Sequence, residues 1–302
     1  MSGKFGIVRA EGKDAGTPRI IFSGKGGSGK STVMGAFTYY LLEVEMTPRR
    51  VLIVDADPAM TTGQISALAS SIVPPMSIGD MADKLREGDY VSAIASGKAK
   101  DKVDFVLQQL KDRAIGRGKY TNQVGVTHEV HFIRIGQHKN NRCMCAFNAV
   151  LNGVLGVLLT SKQYDYILID REAGQEHINR SVYGRPNDIV VAVANLSAPY
   201  MKVAETVIET HRGVQMSALG RVEAKDILVI NMRYPRDDDE VNEMLEKLLD
   251  KFPSLKELPL VTFPFVAAAQ VQIEPLTWED YSNNPKVVSS LSAIYDWIKR
   301  DK

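Results

Sequence analysis

Residues 24–31, Gly24-Lys25-Gly26-Gly27-Ser28-Gly29-Lys30-Ser31, constrain this chain more than any other stretch. They fit the pattern G-x-x-x-x-G-K-[ST], and Thr32 follows directly. The preceding Arg19-Ile20-Ile21-Phe22-Ser23 is a short apolar run, read as a core strand. A helix is expected to open at Lys30 and to run to about Leu42. Strand, glycine turn and helix in that order are the context that gives the motif its meaning. Glycines let successive backbone N–H groups turn toward one anion, and the helix N-terminus adds its positive dipole end. Gly24 through Thr32 is therefore a candidate nucleotide-binding segment. Lys30 is expected to reach the β- and γ-phosphates of ATP, and the Ser31 hydroxyl to ligate Mg²⁺. The bland alternative is a glycine-rich strand–helix turn without a ligand.

The apolar runs downstream extend the same theme. Val51-Leu52-Ile53-Val54, Tyr166-Ile167-Leu168-Ile169, Ile189-Val190-Val191-Ala192-Val193 and Ile227-Leu228-Val229-Ile230 have no polar residue inside them. Such runs belong to strands covered on both faces, as in a parallel sheet. Further strands are expected at 131–135 and 258–261. Helices are expected at 77–87, 102–113, 146–160, 198–211, 241–249 and 285–299. Strands alternating with helices give an α/β fold: a single P-loop NTPase domain, with a mostly parallel sheet and helices on both faces. The domain is expected to cover 19–302, with 1–18 as an N-terminal extension and 60–130 partly an insertion.

Charge and cysteine content narrow the function classes. Lys plus Arg is 37 and Asp plus Glu is 36, a net charge of +1, which gives no bulk attraction to nucleic acid or anionic lipid. No apolar run reaches the ~20 residues of a membrane span, and residues 1–18 lack the apolar core of a signal peptide. The expectation is a cytoplasmic protein with neither nucleic acid nor membrane as partner. The two cysteines, Cys143 and Cys145, are separated by one residue and badly placed to bridge each other.

Three aspartates fall where ligands of open α/β sheets lie, at carboxyl ends of strands. Asp55 and Asp57 follow the second apolar run, and Asp170 follows the run 166–169. Mg²⁺ takes oxygen ligands and usually keeps waters, so Asp170 is assigned to it, directly or through water. Each aspartate has an alternative as a turn cap. Cys143 and Cys145 can point the same way in an extended segment, but two thiolates do not complete a tetrahedral site. A symmetric dimer would offer four on its axis, suited to Zn²⁺, Ni²⁺ or Cu(I). The alternative is a pair of small buried residues or free thiols.

Lys25 is the informative extra in the glycine turn, because two loop lysines repel unless an anion lies between them. This variant loop resembles that of the family that includes MinD, ParA, the arsenite pump ATPase and the nitrogenase iron protein. The resemblance covers most of residues 19–263. It implies that Lys25 reaches across a dimer interface to the partner's nucleotide, so that two ATP molecules face each other in a homodimer. It also implies that Asp57 orients the attacking water, that Asp55 supports the loop or the metal, and that Asn231 recognises adenine. The implied activity is slow hydrolysis of ATP to ADP and phosphate, with Lys25, Lys30 and Asp57 as catalytic residues. Lys25 as a solvated loop lysine and Asn231 as a turn residue are the alternatives.

A narrower resemblance rests on 143–177. Cys143-Met144-Cys145, the helix after it, the strand 166–169, Asp170-Arg171-Glu172-Ala173-Gly174 and then Glu176-His177 are similar to the nickel-insertion ATPases of carbon monoxide dehydrogenase, the CooC type. Ser77-Ile78-Gly79-Asp80 is similar too. The departures are Asn141-Arg142 before the first cysteine, where glycine is expected, and Arg171 in the place of a small or apolar residue. The resemblance implies a metallochaperone: a homodimer binding one Zn²⁺ or Ni²⁺ at a shared Cys143/Cys145 site and serving a nickel enzyme of carbon monoxide dehydrogenase type. Two alternatives are an electron-transfer ATPase with an iron–sulfur cluster and a positioning ATPase like MinD or ParA. The apolar stripe of 287–298 would serve the latter at a membrane, but without a basic stripe it reads as a helix packed on the sheet.

Overall fold

The protein is described from a computed structural model, over residues 17, 19–57, 62, 66–74, 76–78, 80, 113–134, 163–173, 188–220, 222, 225–271 and 274–300. Cys143 and Cys145, Gly174 to His177, and the expected helices at 77–87, 102–113 and 146–160 lie outside these residues, apart from Ser77, Ile78, Asp80 and Arg113.

Eight strands form one sheet: β1 (Arg19–Gly24), β2 (Arg50–Asp55), β3 (Gly116–Thr121), β4 (Thr127–Arg134), β5 (Tyr166–Glu172), β6 (Ile189–Ala194), β7 (Ile227–Asn231) and β8 (Leu260–Phe263). Their order is β3-β4-β2-β5-β1-β6-β7-β8. All pairs are parallel except β3 with β4, an antiparallel hairpin at one edge. β1 sits centrally between β5 and β6. The chain crosses from one side of β1 to the other after β5, so the crevice beyond the carboxyl end of β1 is the topological switch point.

Seven helices are described: α1 (Lys30–Val44), α2 (Ala67–Ser71), α3 (Ala198–Leu219), α4 (Asp238–Lys251), α5 (Ala267–Val271), α6 (Trp278–Ser282) and α7 (Pro285–Lys299). They cover both faces of the sheet. On one face Ile21, Leu52, Ile169, Val190 and Leu228 pack with Met201, Ala204 and Ile208 of α3 and Val241 and Leu245 of α4. On the other, Ile20, Phe22, Ile53, Leu168 and Val191 meet Val33, Met34, Phe37 and Leu41 of α1 and the stripe Val287, Leu291, Ile294 and Ile298 of α7. Every residue of β1 and of β6 is buried, which is why these runs carry apolar residues without alternation.

Local chemistry fixes the helix ends. Asp237 accepts from Asp239 N–H ahead of α4, whose first turn holds Asp238, Asp239 and Glu240 against the positive dipole end. Thr277 and Asp280 form a reciprocal capping box at α6. Asn284 caps α7, with Pro285 in its first turn. Gly220 ends α3 in the left-handed region, at φ 68°.

The expected α/β fold stands, with several boundaries corrected. β5 does not end at 169: it runs on through Asp170 to Glu172, because Ser23 and Gly24 of β1 keep pairing with it. α3 continues to Leu219 rather than stopping at 211, with His211 and Gln215 buried on its inner side. β8 lies at 260–263 rather than 258–261. β4 starts at Thr127, ahead of the expected 131, and β3 beside it was not expected at all. The apolar stripe of α7 is buried in the core, as expected for a helix whose polar face lacks a rich basic stripe. Among the described residues no helix is long and apolar enough to cross a membrane.

Candidate nucleotide-binding site

The glycine turn lies where β1 hands over to α1, at the crevice beyond β1. Ser28 N–H closes it onto Lys25 O at 2.9 Å, and Val33 N–H to Gly29 O, also 2.9 Å, starts the helix ladder. Gly27 and Gly29 both have positive φ, 77° and 85°. Gly29 is required twice over. Its backbone is left-handed, and an added Cβ would lie 1.9 Å from Asn231 Nδ2. That amide donates to Ser28 O at 2.9 Å, so Asn231, at the end of β7, braces the turn.

The two loop lysines face different ways. Lys30 is buried, and its ammonium pairs with Asp57 at 2.5 Å. Lys25 is exposed, with its ammonium 5.1 Å from the centre of the Tyr200 ring. Tyr200, in the first turn of α3, donates its hydroxyl to Gly26 O at 3.2 Å.

Behind the turn the sheet sets Asp55 and Asp170 side by side as register partners of β2 and β5. Asp55 Oδ1 accepts from Asp57 N–H at 3.2 Å, and its Oδ2 from Thr62 N–H at 3.1 Å. Burial, then the charge of Asp170, raises the Asp55 carboxyl to about 7. Asp170 is also raised by its burial, against the opposing pull of Lys30 and of two hydroxyl donors. Those donors are Ser31 and Thr62, both on Oδ2, with Thr62 at 2.7 Å. The other oxygen, Oδ1, is buried without a hydrogen-bond partner. A buried carboxylate pair with an orphaned oxygen, beside a helix-start hydroxyl, is the all-oxygen donor set that a hard divalent cation takes. Ser31, Asp55 and Asp170 thus fit Mg²⁺ by their chemistry.

The structure brings together all the expected residues that it describes: Gly24 to Thr32, Asp55, Asp57, Asp170 and Asn231. Two others belong with them and were not expected. Thr62 ties Asp55 to Asp170, and Tyr200 holds the outer rim of the turn. Neither sits in a recognisable motif. Two histidines ahead of the cysteines in sequence have structural partners: His128 Nδ1 accepts from Arg49 N–H at 3.2 Å, and His131 meets the Tyr164 hydroxyl at 2.8 Å.

Residues 20–264 match the model of the CobQ/CobB/MinD/ParA nucleotide binding domain. This chain belongs to that family. Solved structures of similar fold include the ATP complex of a McdA variant from Cyanothece, at 13% identity and TM-score 0.55, covering 95% of this chain and 98% of that one. A chain of the MinC:MinD cell division protein complex of Aquifex aeolicus is similar at 17% identity and TM-score 0.54, covering 94% of this chain and 96% of that one. Among curated relatives, an uncharacterized ATP-binding protein of Methanocaldococcus jannaschii is 24% identical over 245 residues, 79% of this chain and 85% of its own length. The carbon monoxide dehydrogenase accessory protein CooC of Rhodospirillum rubrum is 28% identical over 179 residues, 58% of this chain and 62% of its own length. As a member of the CobQ/CobB/MinD/ParA family, the chain is a P-loop nucleotide-binding protein.

Proposed function

We propose that this protein is an ATP-dependent homodimeric maturation ATPase. It hydrolyses ATP slowly, shares a metal between the Cys143/Cys145 pairs of two subunits, and assists nickel insertion into an enzyme of carbon monoxide dehydrogenase type. The observation that carries the reading is the division of labour between the loop lysines: Lys30 is buried on Asp57, while Lys25 stands exposed at the rim. An outward lysine on a phosphate loop serves a nucleotide approached from outside, as in a facing subunit. The likeness to CooC of Rhodospirillum rubrum supports the metal and client parts.

The turn's backbone N–H groups and Lys30 grip the β- and γ-phosphates. Lys30 must then share its ammonium between phosphate and Asp57, which loosens the 2.5 Å pair. The Asp57 carboxylate becomes available to orient a water against the γ-phosphate. Ser31 and Asp170, with Asp55 beside them, would hold Mg²⁺, which when bound offsets charge on the phosphate oxygens. Lys25 from the facing subunit adds charge at the same phosphates. Asn231 braces Ser28, and the family resemblance gives it the recognition of adenine. Ala173 N–H binds Gly24 O at 3.0 Å, so the segment after Asp170 is tied to the phosphate loop and responds when the γ-phosphate leaves. Metal affinity and nucleotide state are then linked reciprocally. The near-neutral charge and the packed α7 support a cytoplasmic protein with neither nucleic acid nor membrane as partner.

The test is titration of the protein with Zn²⁺ and with Ni²⁺, with and without a non-hydrolysable ATP analogue, repeated on Cys143→Ser. One metal per dimer, with affinity altered by the analogue and lost in the variant, is the expected result. Stoichiometry unchanged in Cys143→Ser removes the metallochaperone reading.

A further inference from the structure

Tyr200 grips two consecutive residues of the phosphate loop from outside it. Its hydroxyl donates to Gly26 O at 3.2 Å, and its ring faces the Lys25 ammonium at 5.1 Å. The tyrosine hangs from a fixed support. It is the third residue of α3, followed at once by Met201 and one turn later by Ala204, both fully buried on the sheet. Its own N–H binds Ser197 O at 3.1 Å in the turn leading off β6.

The position is an odd one for an ammonium. The first turn of α3 holds no acidic residue, and the N-terminal end of a helix repels cations. The ring face is the attractive partner there. Such a hold is weak at an exposed site and breaks without disturbing the core.

We propose that Tyr200 is a positioning residue that keeps Lys25 on its own subunit and so sets the nucleotide threshold for dimerisation. The inference rests on the reading of Lys25 as the lysine that serves a facing subunit. For Lys25 to do so, its ammonium must leave the ring, and symmetry makes both subunits give up the contact together. An exposed cation–π contact is worth about 2.3- to 5.4-fold in an equilibrium, so two of them hold the dimer back by about five- to thirty-fold. The hydroxyl on Gly26 O is a separate function, fixing the loop backbone that faces the phosphates.

The experiment measures dimerisation by sedimentation equilibrium with a non-hydrolysable ATP analogue and Mg²⁺, for wild type, Tyr200→Leu, Tyr200→Phe and each in a Lys25→Ala background. Tyr200→Leu is expected to dimerise about five- to thirty-fold more tightly, and Tyr200→Phe, which keeps the ring, like wild type. With Lys25→Ala the Tyr200→Leu change is expected to vanish, an outcome that a merely structural tyrosine would not give. In parallel, carbon–proton NMR of the nucleotide-free protein should show the Lys25 Hε protons shifted upfield by the ring in wild type and Tyr200→Phe, and at the free-lysine position in Tyr200→Leu. No upfield shift in wild type overturns the hold, whatever dimerisation does. Unchanged or weaker dimerisation in Tyr200→Leu, with a Lys25-dependent wild-type dimer, also overturns it and leaves the role of Lys25 standing. A wild-type dimer indifferent to Lys25→Ala overturns the role of Lys25, and this proposal with it.

Discussion

Replacing Gly29 by alanine perturbs the phosphate loop at its most constrained point. The backbone there has φ 85°, and a left-handed conformation costs an L-residue roughly 1–2 kcal/mol. The new methyl would fall 1.9 Å from Asn231 Nδ2, so Asn231 must swing away and give up its 2.9 Å bond to Ser28 O. A hydrogen bond of this kind contributes about 1 kcal/mol. The two effects together come to about 2–3 kcal/mol. If the loop keeps its shape, the loss appears as a lower urea midpoint. If the loop relaxes instead, it appears as weaker ATP binding, since only the competent fraction binds. Urea denaturation and calorimetric ATP titration therefore have to be read together. In an Asn231→Ala background the clash is gone, and Gly29→Ala should cost only the backbone share of roughly 1–2 kcal/mol. A Gly29→Ala protein with both unfolding midpoint and ATP affinity unchanged would refute this account of the turn.

Three further outcomes follow from other parts of the molecule. Glu45, at the end of α1, would be raised by burial, but hydrogen bonds from Tyr166, Lys299, Arg49 and Tyr295 outweigh this and hold it at about 2. Its contribution, on the order of 2–3 kcal/mol, is thus present above about pH 4.5 and lost as pH falls toward 2; urea melts of wild type and Glu45→Gln should converge over that range. Asp170→Asn should abolish the Mg²⁺ dependence of ATP binding, measured by titration with and without Mg²⁺. The same change relieves the repulsion with Asp55 and should raise stability at pH 8 by on the order of 1–2 kcal/mol, checked by urea melts. Leu291→Ala, on the buried stripe of α7, should destabilise by about 2–5 kcal/mol in urea melts, without changing liposome association.

The parts of the fold legible in the sequence are those where physics leaves few choices. β1, β2, β5, β6 and β7 are central and covered on both faces, so each carries an uninterrupted apolar run. β3 is an edge strand, Gly116-Arg117-Gly118-Lys119-Tyr120-Thr121, with alternating exposure and two glycines. Nothing in that composition says strand, because its glycine at 116 serves tertiary packing: a Cβ there would lie 1.6 Å from Ile72 O. The first half of β4, with a histidine and a glutamate in Thr127-His128-Glu129-Val130, is equally silent. The short helix α6 was not expected, although Thr277-x-x-Asp280 at its start forms a capping box. In the site, the motif residues and strand-end aspartates announced themselves by spacing. Thr62 and Tyr200 did not, because each acts through a contact with residues distant in sequence, Asp170 and Lys25.

The most direct test of the central claim is complementation of ATP hydrolysis between two variants. Lys25→Ala keeps the phosphate cradle and lacks the outward lysine; Lys30→Ala lacks the cradle's own lysine and keeps Lys25. If the outward lysine acts on a neighbour's nucleotide, each variant alone is inactive, and mixing them restores a fraction of wild-type turnover through mixed dimers. A mixture no more active than the sum of its two components would contradict the account.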